Sequence, residues 1–75
     1  MVVFNPEVDN YIIRFDPDWK KADIKIYDIS GKLVLSANGY NTANDYTINL
    51  PKENRVYIII VISDNGKKVN KKIIR

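Results

Sequence analysis

Serine hydroxyls with nearby lysines are the closest approach of this chain to catalytic chemistry. Histidine and cysteine are both absent, so covalent catalysis would need a serine nucleophile with a lysine as its base. The serines are Ser30, Ser36 and Ser63. Ser30 and Ser63 fall in or beside predicted turns, where hydroxyl groups usually bond to nearby backbone. We therefore expect no catalytic residues and no enzymatic activity.

The sequence also gives no indication of a metal site or a cofactor site. Asp16 and Asp18 could begin an oxygen-ligand site for calcium, but the further ligands of the helix–loop–helix calcium motif do not follow them. A turn around Pro17 explains this acidic pair more simply. The usual cysteine and histidine ligands of zinc are missing, and the three glycines are isolated at turns instead of grouped in a phosphate-binding loop.

Aromatic side chains could stack on sugars or on single-stranded nucleic acid. Tyr11, Tyr46 and Tyr57 fall within alternating or apolar segments, so packing in a sheet is the simpler interpretation. Trp19 belongs to a predicted turn and is the aromatic residue most expected to be exposed, although it could instead plug one end of the fold. An oligonucleotide-binding barrel would also need arginines around an aromatic-rich strand. The arginines here are scattered, so we expect no nucleic-acid partner.

Positive charge is concentrated near the end of the sequence. The net charge is +3, and five of the twelve basic residues lie in Lys67–Arg75, which contains no acid. Lysines commonly protect an edge strand from edge-to-edge pairing. The same charge would favour an anionic partner. The first interpretation is the simpler one, and the two are compatible.

The composition predicts a small all-β domain. Twelve isoleucines, seven valines and two threonines stand against only three alanines and three leucines. These β-branched side chains pack well on a pleated sheet and lose rotamer freedom in a helix. A chain of this length buries only about 60% of its unfolded surface. Since cysteines for disulfides are absent, its stability must come from packing.

Alternation of apolar and polar residues predicts six or seven strands joined by short turns. The predicted strands are Asp9–Phe15, Ala22–Tyr27, Leu33–Ala37, Tyr46–Leu50, Val56–Ile62 and Lys67–Arg75. The predicted turns and loops are Asp16–Trp19, Asp28–Gly31, Asn38–Gly39, Asn41–Asn44 and Asp64–Gly66. Turn signals about 8–12 residues apart favour a compact antiparallel sandwich or a small barrel.

Two segments carry a more specific prediction. Proline fixes its own backbone and restricts the preceding residue, so Asn5-Pro6 is expected to break the chain before the first long strand. Val56–Ile62 is apolar at every position, which predicts a central strand covered on both faces. Everything after Asp9 is expected to form one packing unit.

Four segments, taken in order, carry a family pattern. They are Phe4-Asn5-Pro6, Ile24–Val34, Leu50 with Val56–Val61, and the run that follows Gly66. Within the first three, the motif positions are Asn5, Pro6, Tyr27, Gly31, Lys32, Val34 and Tyr57. The terminal pattern is matched by Gly66, Lys68, Lys71, Lys72, Ile73, Ile74 and Arg75. In this order and spacing, the chain resembles the C-terminal sorting domain of proteins exported by the type IX secretion system of Gram-negative bacteria.

The chain departs from that family in the segment that precedes the apolar run Val56–Val61. Arg55 stands where the family usually has glycine, and Pro51–Asn54 lengthens the segment before it. A positive-φ turn there would have to be made differently, and Asn54 is the residue expected to make it.

The resemblance implies a fold and a place in protein export. Such domains are immunoglobulin-like β-sandwiches of about seven strands, so residues 1–75 are expected to form a single domain of a larger exported protein. The type IX translocon carries the attached cargo from the periplasm across the outer membrane to the cell surface or the medium. A sortase-like surface protease then removes the domain. The resemblance thus implies that the domain is a substrate of this machinery and that its own association with the outer membrane is transient.

The closing strand is the predicted recognition surface. A translocon can recognise a sheet edge through main-chain hydrogen bonds, while alternate side chains give specificity. The candidate contact residues are the seven of the terminal pattern, from Gly66 to Arg75. The alternative function is an immunoglobulin-like adhesion or carbohydrate-binding accessory module that uses Trp19 and nearby tyrosines.

Overall fold

The structure is a computed structural model in which the chain is built from β-strands. It describes residues 2–6, 10–50 and 55–75. The seven strands in these residues are β1 (Val3–Pro6), β2 (Tyr11–Arg14), β3 (Lys21–Asp28), β4 (Leu33–Asn41), β5 (Tyr46–Ile48), β6 (Val56–Ser63) and β7 (Lys68–Ile74). In these same ranges, no helix is long and apolar enough to cross a lipid bilayer.

The strands form two antiparallel sheets, as predicted. One has the order β1-β2-β5 and the other the order β4-β3-β6-β7. In the immunoglobulin fold, strands A, B and E share one sheet, and C, F and G share the other. Here β1, β2 and β5 correspond to the first set, while β3, β6 and β7 correspond to the second. The fourth strand lies beside β3, as strand C′ lies beside C in variable-type domains.

The core lies between the two sheets. Alternate residues of β3 and β6 are buried, because successive side chains of a strand point to opposite faces. The fully buried side chains are Ile13, Ile24, Ile26, Ile48, Ile59 and Val61. Branched aliphatic residues therefore fill the interior, as the composition predicted.

The prediction that Val56–Ile62 is covered on both faces is wrong. In β6, Tyr57, Ile59 and Val61 are buried, but the residues that alternate with them are only half-buried. The strand is central in its sheet, with β3 on one side and β7 on the other. Its apolar outward residues thus occupy the face of the sheet that points away from the core.

The predicted turn at Asn38–Gly39 lies inside a strand. The fourth strand continues to Asn41, and its register with β3 shifts between Ala22 and Ile24. Gly39 lies beside this shift with φ of 64°, and its N–H donates to the Asp23 carboxylate at 2.8 Å. Gly39 therefore accommodates a β-bulge, for which a left-handed glycine is a known signal.

The chain is already part of the sheet before Pro6. The first strand spans Val3–Pro6, and Pro6 pairs with Tyr11 at the edge of the three-stranded sheet. An edge position tolerates proline because one side of the strand needs no ladder hydrogen bond. Val2 and Phe4 also pack against the core, so the packing unit begins earlier than Asp9, a residue outside the described ranges.

Neighbouring isoleucines on β6 test this alternation. Ile59→Ala should lower the free energy of unfolding by about 3 kcal/mol, since it empties a fully buried site. Ile60→Ala should cost only about 1 kcal/mol, because Ile60 is half-buried and points outward. Urea denaturation of both variants measures the difference. Equal losses would contradict the assignment of the two faces.

Candidate functional site

The closing strand β7 lies at an edge of the four-stranded sheet, as its lysines predicted. It pairs with β6 from Lys68, opposite Ile62, to Ile74, opposite Val56. No strand of the described residues pairs with its other side. One row of its backbone groups is therefore available to a further strand.

The residues predicted for recognition divide between surface and core. Lys68, Lys71 and Lys72 are exposed, and Ile74 is 71% exposed. Ile73 points the opposite way and is only 4% exposed, because neighbouring strand residues face opposite sides. Lys68, Lys72 and Ile74 therefore lie on the outward face, and Ile73 belongs to the core. Lys71 shares the inward face with Ile73 but is exposed.

Arg75 reaches back across the end of the sandwich. Its guanidinium carbon lies 5.9 Å from the centre of the Tyr11 ring, which belongs to the opposite sheet. Its backbone N–H donates to the Arg55 carbonyl at 2.9 Å. Burial raises the pKa of the Tyr11 hydroxyl, and the charge of Arg75 partly opposes that rise. Arg75 thus connects the closing strand to the other sheet.

Asp28 organises the turn between β3 and β4. Its Oδ1 accepts hydrogen bonds from the Ser30 hydroxyl at 2.6 Å, from the Ser30 N–H at 3.0 Å and from the Lys32 N–H at 2.9 Å. Gly31 then turns the chain at φ of 88°, a left-handed conformation that favours glycine. The motif spacing D-x-x-G-K is therefore explained by the geometry of one turn.

Three of the motif positions meet in one shallow cleft. Lys32, Val34 and Tyr57 line a cavity of about 360 Å³ at the end of the sandwich. The other lining residues are Asp28, Leu33 and Arg55. Arg55, the departure from the family pattern, thus places a second cation at the cleft. Asn54, the residue expected to take positive φ, lies outside the described residues.

The remaining motif positions lie elsewhere. Asn5 and Pro6 belong to β1, in the other sheet. Tyr27 is half-buried on β3 and is paired with Ile58 on the outward face. The motif positions therefore do not form a single site. Several of them serve the β3–β4 turn and the core.

Trp19 is buried, contrary to the expectation that it is exposed. Only 6% of it is accessible, and its ring centre lies 6.4 Å from that of Phe15. Phe15 in turn packs against Tyr40, whose ring meets Tyr46 edge to face at 4.9 Å. The alternative prediction, that Trp19 plugs one end of the fold, agrees with this burial. An open cleft of about 730 Å³ adjoins this cluster and includes Arg14 in its lining.

In the other predicted turns, polar groups form hydrogen bonds within the turn itself. Trp19 N–H donates to the Asp16 carbonyl at 3.0 Å, and Asp18 N–H donates to the Asp16 carboxylate at 3.0 Å. Ser63 bonds through its hydroxyl to Asn65 and accepts from the Lys67 N–H at 3.0 Å. The described residues contain no group of three or more acidic side chains placed to hold a metal ion.

The comparisons with known proteins place the chain in a family. Residues 18–75 match a family described as a domain of unknown function (DUF8694). The chain belongs to this family, since the match covers well over half of its length. No curated protein matches it significantly in sequence. No solved structure matches it significantly either.

The pKa of Asp28 tests the turn. The Ser30 hydroxyl and the Lys32 N–H favour the charged carboxylate and so lower the pKa of Asp28 below 3.8. This contribution to stability should be complete above that ordinary value and should be lost as pH falls through the lower folded-state pKa. Ser30→Ala removes the largest cause, so the pKa of Asp28 should rise. Carboxyl-carbon NMR titration measures both proteins. An ordinary pKa in the wild-type domain would contradict the assigned hydrogen bonds.

Proposed function

We propose that this domain is a C-terminal sorting domain that directs an attached cargo protein across the outer membrane by the type IX secretion system. In this role the folded domain is what the translocon recognises. It performs no chemistry of its own. The family description assigns no role, so support comes from the ordered motifs and from the geometry of the closing strand.

The observation that carries the proposal is the position of β7 at a sheet edge. Lys68–Ile74 has a backbone row that can pair with a strand of the translocon. Its exposed side chains include Lys71, on the inward side of the strand opposite Ile59, and Ile74, on the outward side opposite Val56. Main-chain pairing would supply affinity, and these side chains would supply specificity.

The core position of Ile73 and the contact of Arg75 with Tyr11 add to this support. Both residues tie β7 into the sandwich, so its edge is held in an extended conformation before any partner binds. A strand that is already ordered loses less conformational entropy on pairing than a flexible tail does. The terminal pattern thus combines residues that fix the strand with residues that are presented by it.

The proposal also names the partners and the places where they act. The cargo is attached at the N-terminal side, and the domain meets the translocon from the periplasm. A sortase-like surface protease then separates the domain from the cargo at the cell surface, and contact with the outer membrane is transient. A carbohydrate-binding role has less support, because the Trp19 ring is buried and faces other aromatic residues.

Exposed isoleucines offer a matched test in a bacterium that has the secretion system. The domain is fused behind a signal peptide and a reporter, and the reporter is measured in the periplasm and outside the cell. Ile74→Asp should leave the reporter in the periplasm, because Ile74 lies on β7 and is 71% exposed. Ile29→Asp should be exported normally, since Ile29 is 69% exposed but lies in the β3–β4 turn.

Folding is controlled separately in this experiment. Both aspartate variants should unfold within a few degrees of the wild-type temperature, whereas Ile73→Ala should unfold markedly earlier because it empties a core site. Export of folded Ile74→Asp at the wild-type level would refute recognition through β7. A wild-type fusion that stays in the periplasm would refute the sorting function itself.

A further inference from the structure

The outward face of the four-stranded sheet carries an apolar stripe. Antiparallel sheets with one solvated face usually place polar residues there. On β6 the outward residues are instead all aliphatic and only half-buried. They are Val56, Ile58, Ile60 and Ile62. We call these residues the β6 stripe.

Lysines flank the β6 stripe on both sides. Strand register places Ile60 opposite Lys25 of β3, and Ile58 opposite Lys72 of β7. Ile62 lies opposite Lys68 of β7. Directly opposed residues of antiparallel strands share a face and lie about 4.5–5.5 Å apart at Cβ. The centre of the face is therefore apolar, and lysines lie on both of its borders, two on β7 and one on β3.

One acid lies among the described residues paired along this stripe. Asp23 is opposite Ile62, and its carboxylate accepts the hydrogen bond from Gly39 at 2.8 Å. The three flanking lysines leave the face with a net positive charge. A second copy of this chain would bring lysines against lysines, so self-association through this face is disfavoured.

The dimensions of the stripe match those of an α-helix. Neighbouring strands lie about 4.8 Å apart, so the lysine-bearing strands β3 and β7 are separated by about 9.6 Å across β6. An α-helix with its side chains is about 10–12 Å wide. Six residue steps from Val56 to Ile62 span about 20 Å, which corresponds to a helix of about 13 residues.

We propose that the β6 stripe is a docking surface for an amphipathic helix of a partner protein, with acidic residues on both borders of the helix's apolar face. Packing a helix on a sheet is a common way to cover an apolar sheet face. The helix would lie along β6, bury its apolar side against the stripe and reach Lys25 on one border and Lys72 on the other. The isoleucines are half-buried between the flanking strands, so a protein surface of matching shape can cover them.

This docking surface does not rest on the sorting function. The edge of β7 offers backbone groups in the plane of the sheet, whereas the β6 stripe offers side chains perpendicular to it. A binding experiment on the purified domain tests the stripe alone, so its failure would leave the export experiment unaffected.

The experiment uses a synthetic helical peptide of about 14 residues, with leucines on one face and glutamates on both borders. Isoleucine methyl NMR of the purified domain follows the titration. Signals of Ile58, Ile60 and Ile62 should shift in a saturable manner. The signal of Ile59, which points into the core, should change little.

Adjacent lysines on β7 supply a matched control. Lys72→Glu should weaken binding about tenfold, since it replaces attraction by like-charge repulsion. Lys71→Glu should have at most about a twofold effect, because Lys71 is opposite the inward-facing Ile59. Lys25→Glu on β3 should resemble Lys72→Glu, as a helix that spans both borders requires.

Several results would overturn the proposal. It is overturned if the isoleucine methyl signals show no saturable shift with the peptide. It is also overturned if Lys71→Glu and Lys72→Glu reduce the affinity for the peptide equally. If Lys25→Glu leaves the affinity for the peptide unchanged, the peptide binds the β7 edge instead. Shifts of the stripe with vesicles of phosphatidylcholine and phosphatidylglycerol, but not with the peptide, would identify a lipid surface. Concentration-dependent shifts of the domain alone would identify self-association.

Discussion

The pairing of β6 with β7 is the constraint on which the rest of the structure depends. It aligns Tyr57 with Ile73, so that both strands direct alternate residues into the same core. It also leaves β7 at an edge and turns the other half of β6 outward. A slip of one residue would exchange these two faces and expose the core residues of β7. The register of β6 with β7 thus determines which surfaces of the two strands are buried and which are exposed.

Much of this architecture follows from local sequence. The β-branched composition predicted strands correctly, and the alternation in Tyr46–Leu50 predicted β5, which ends two residues earlier at Ile48. Asn65-Gly66 predicted the turn before the closing strand. These signals are local, because they depend on side-chain fit to a pleated sheet and on turn conformation. The edge position of β7 was also predictable from its lysines, since natural sheets protect their edges in this way.

The sequence could not predict which faces of a strand are buried by the rest of the fold. An entirely apolar run such as Val56–Ile62 is compatible with burial on one face or on both, and only the arrangement of the two sheets decides between them. Trp19 was similarly ambiguous, because a turn residue can point inward when a neighbour such as Phe15 offers a packing surface. Gly39 looked like a turn because bulges and turns use the same left-handed glycine conformation. The function of the closing strand stays a prediction at the level of sequence and geometry.

Site-specific photocrosslinking in cells that carry the secretion system tests recognition through β7 most directly. A photoreactive residue is placed at Lys71, which is exposed on β7, or at Thr47, which is exposed on β5 of the other sheet. Recognition through the closing strand predicts a crosslink from position 71 to an outer-membrane component of the translocon, with little or none from position 47. Equal crosslinking from both positions, or none from position 71 in a fusion that is exported, would contradict it.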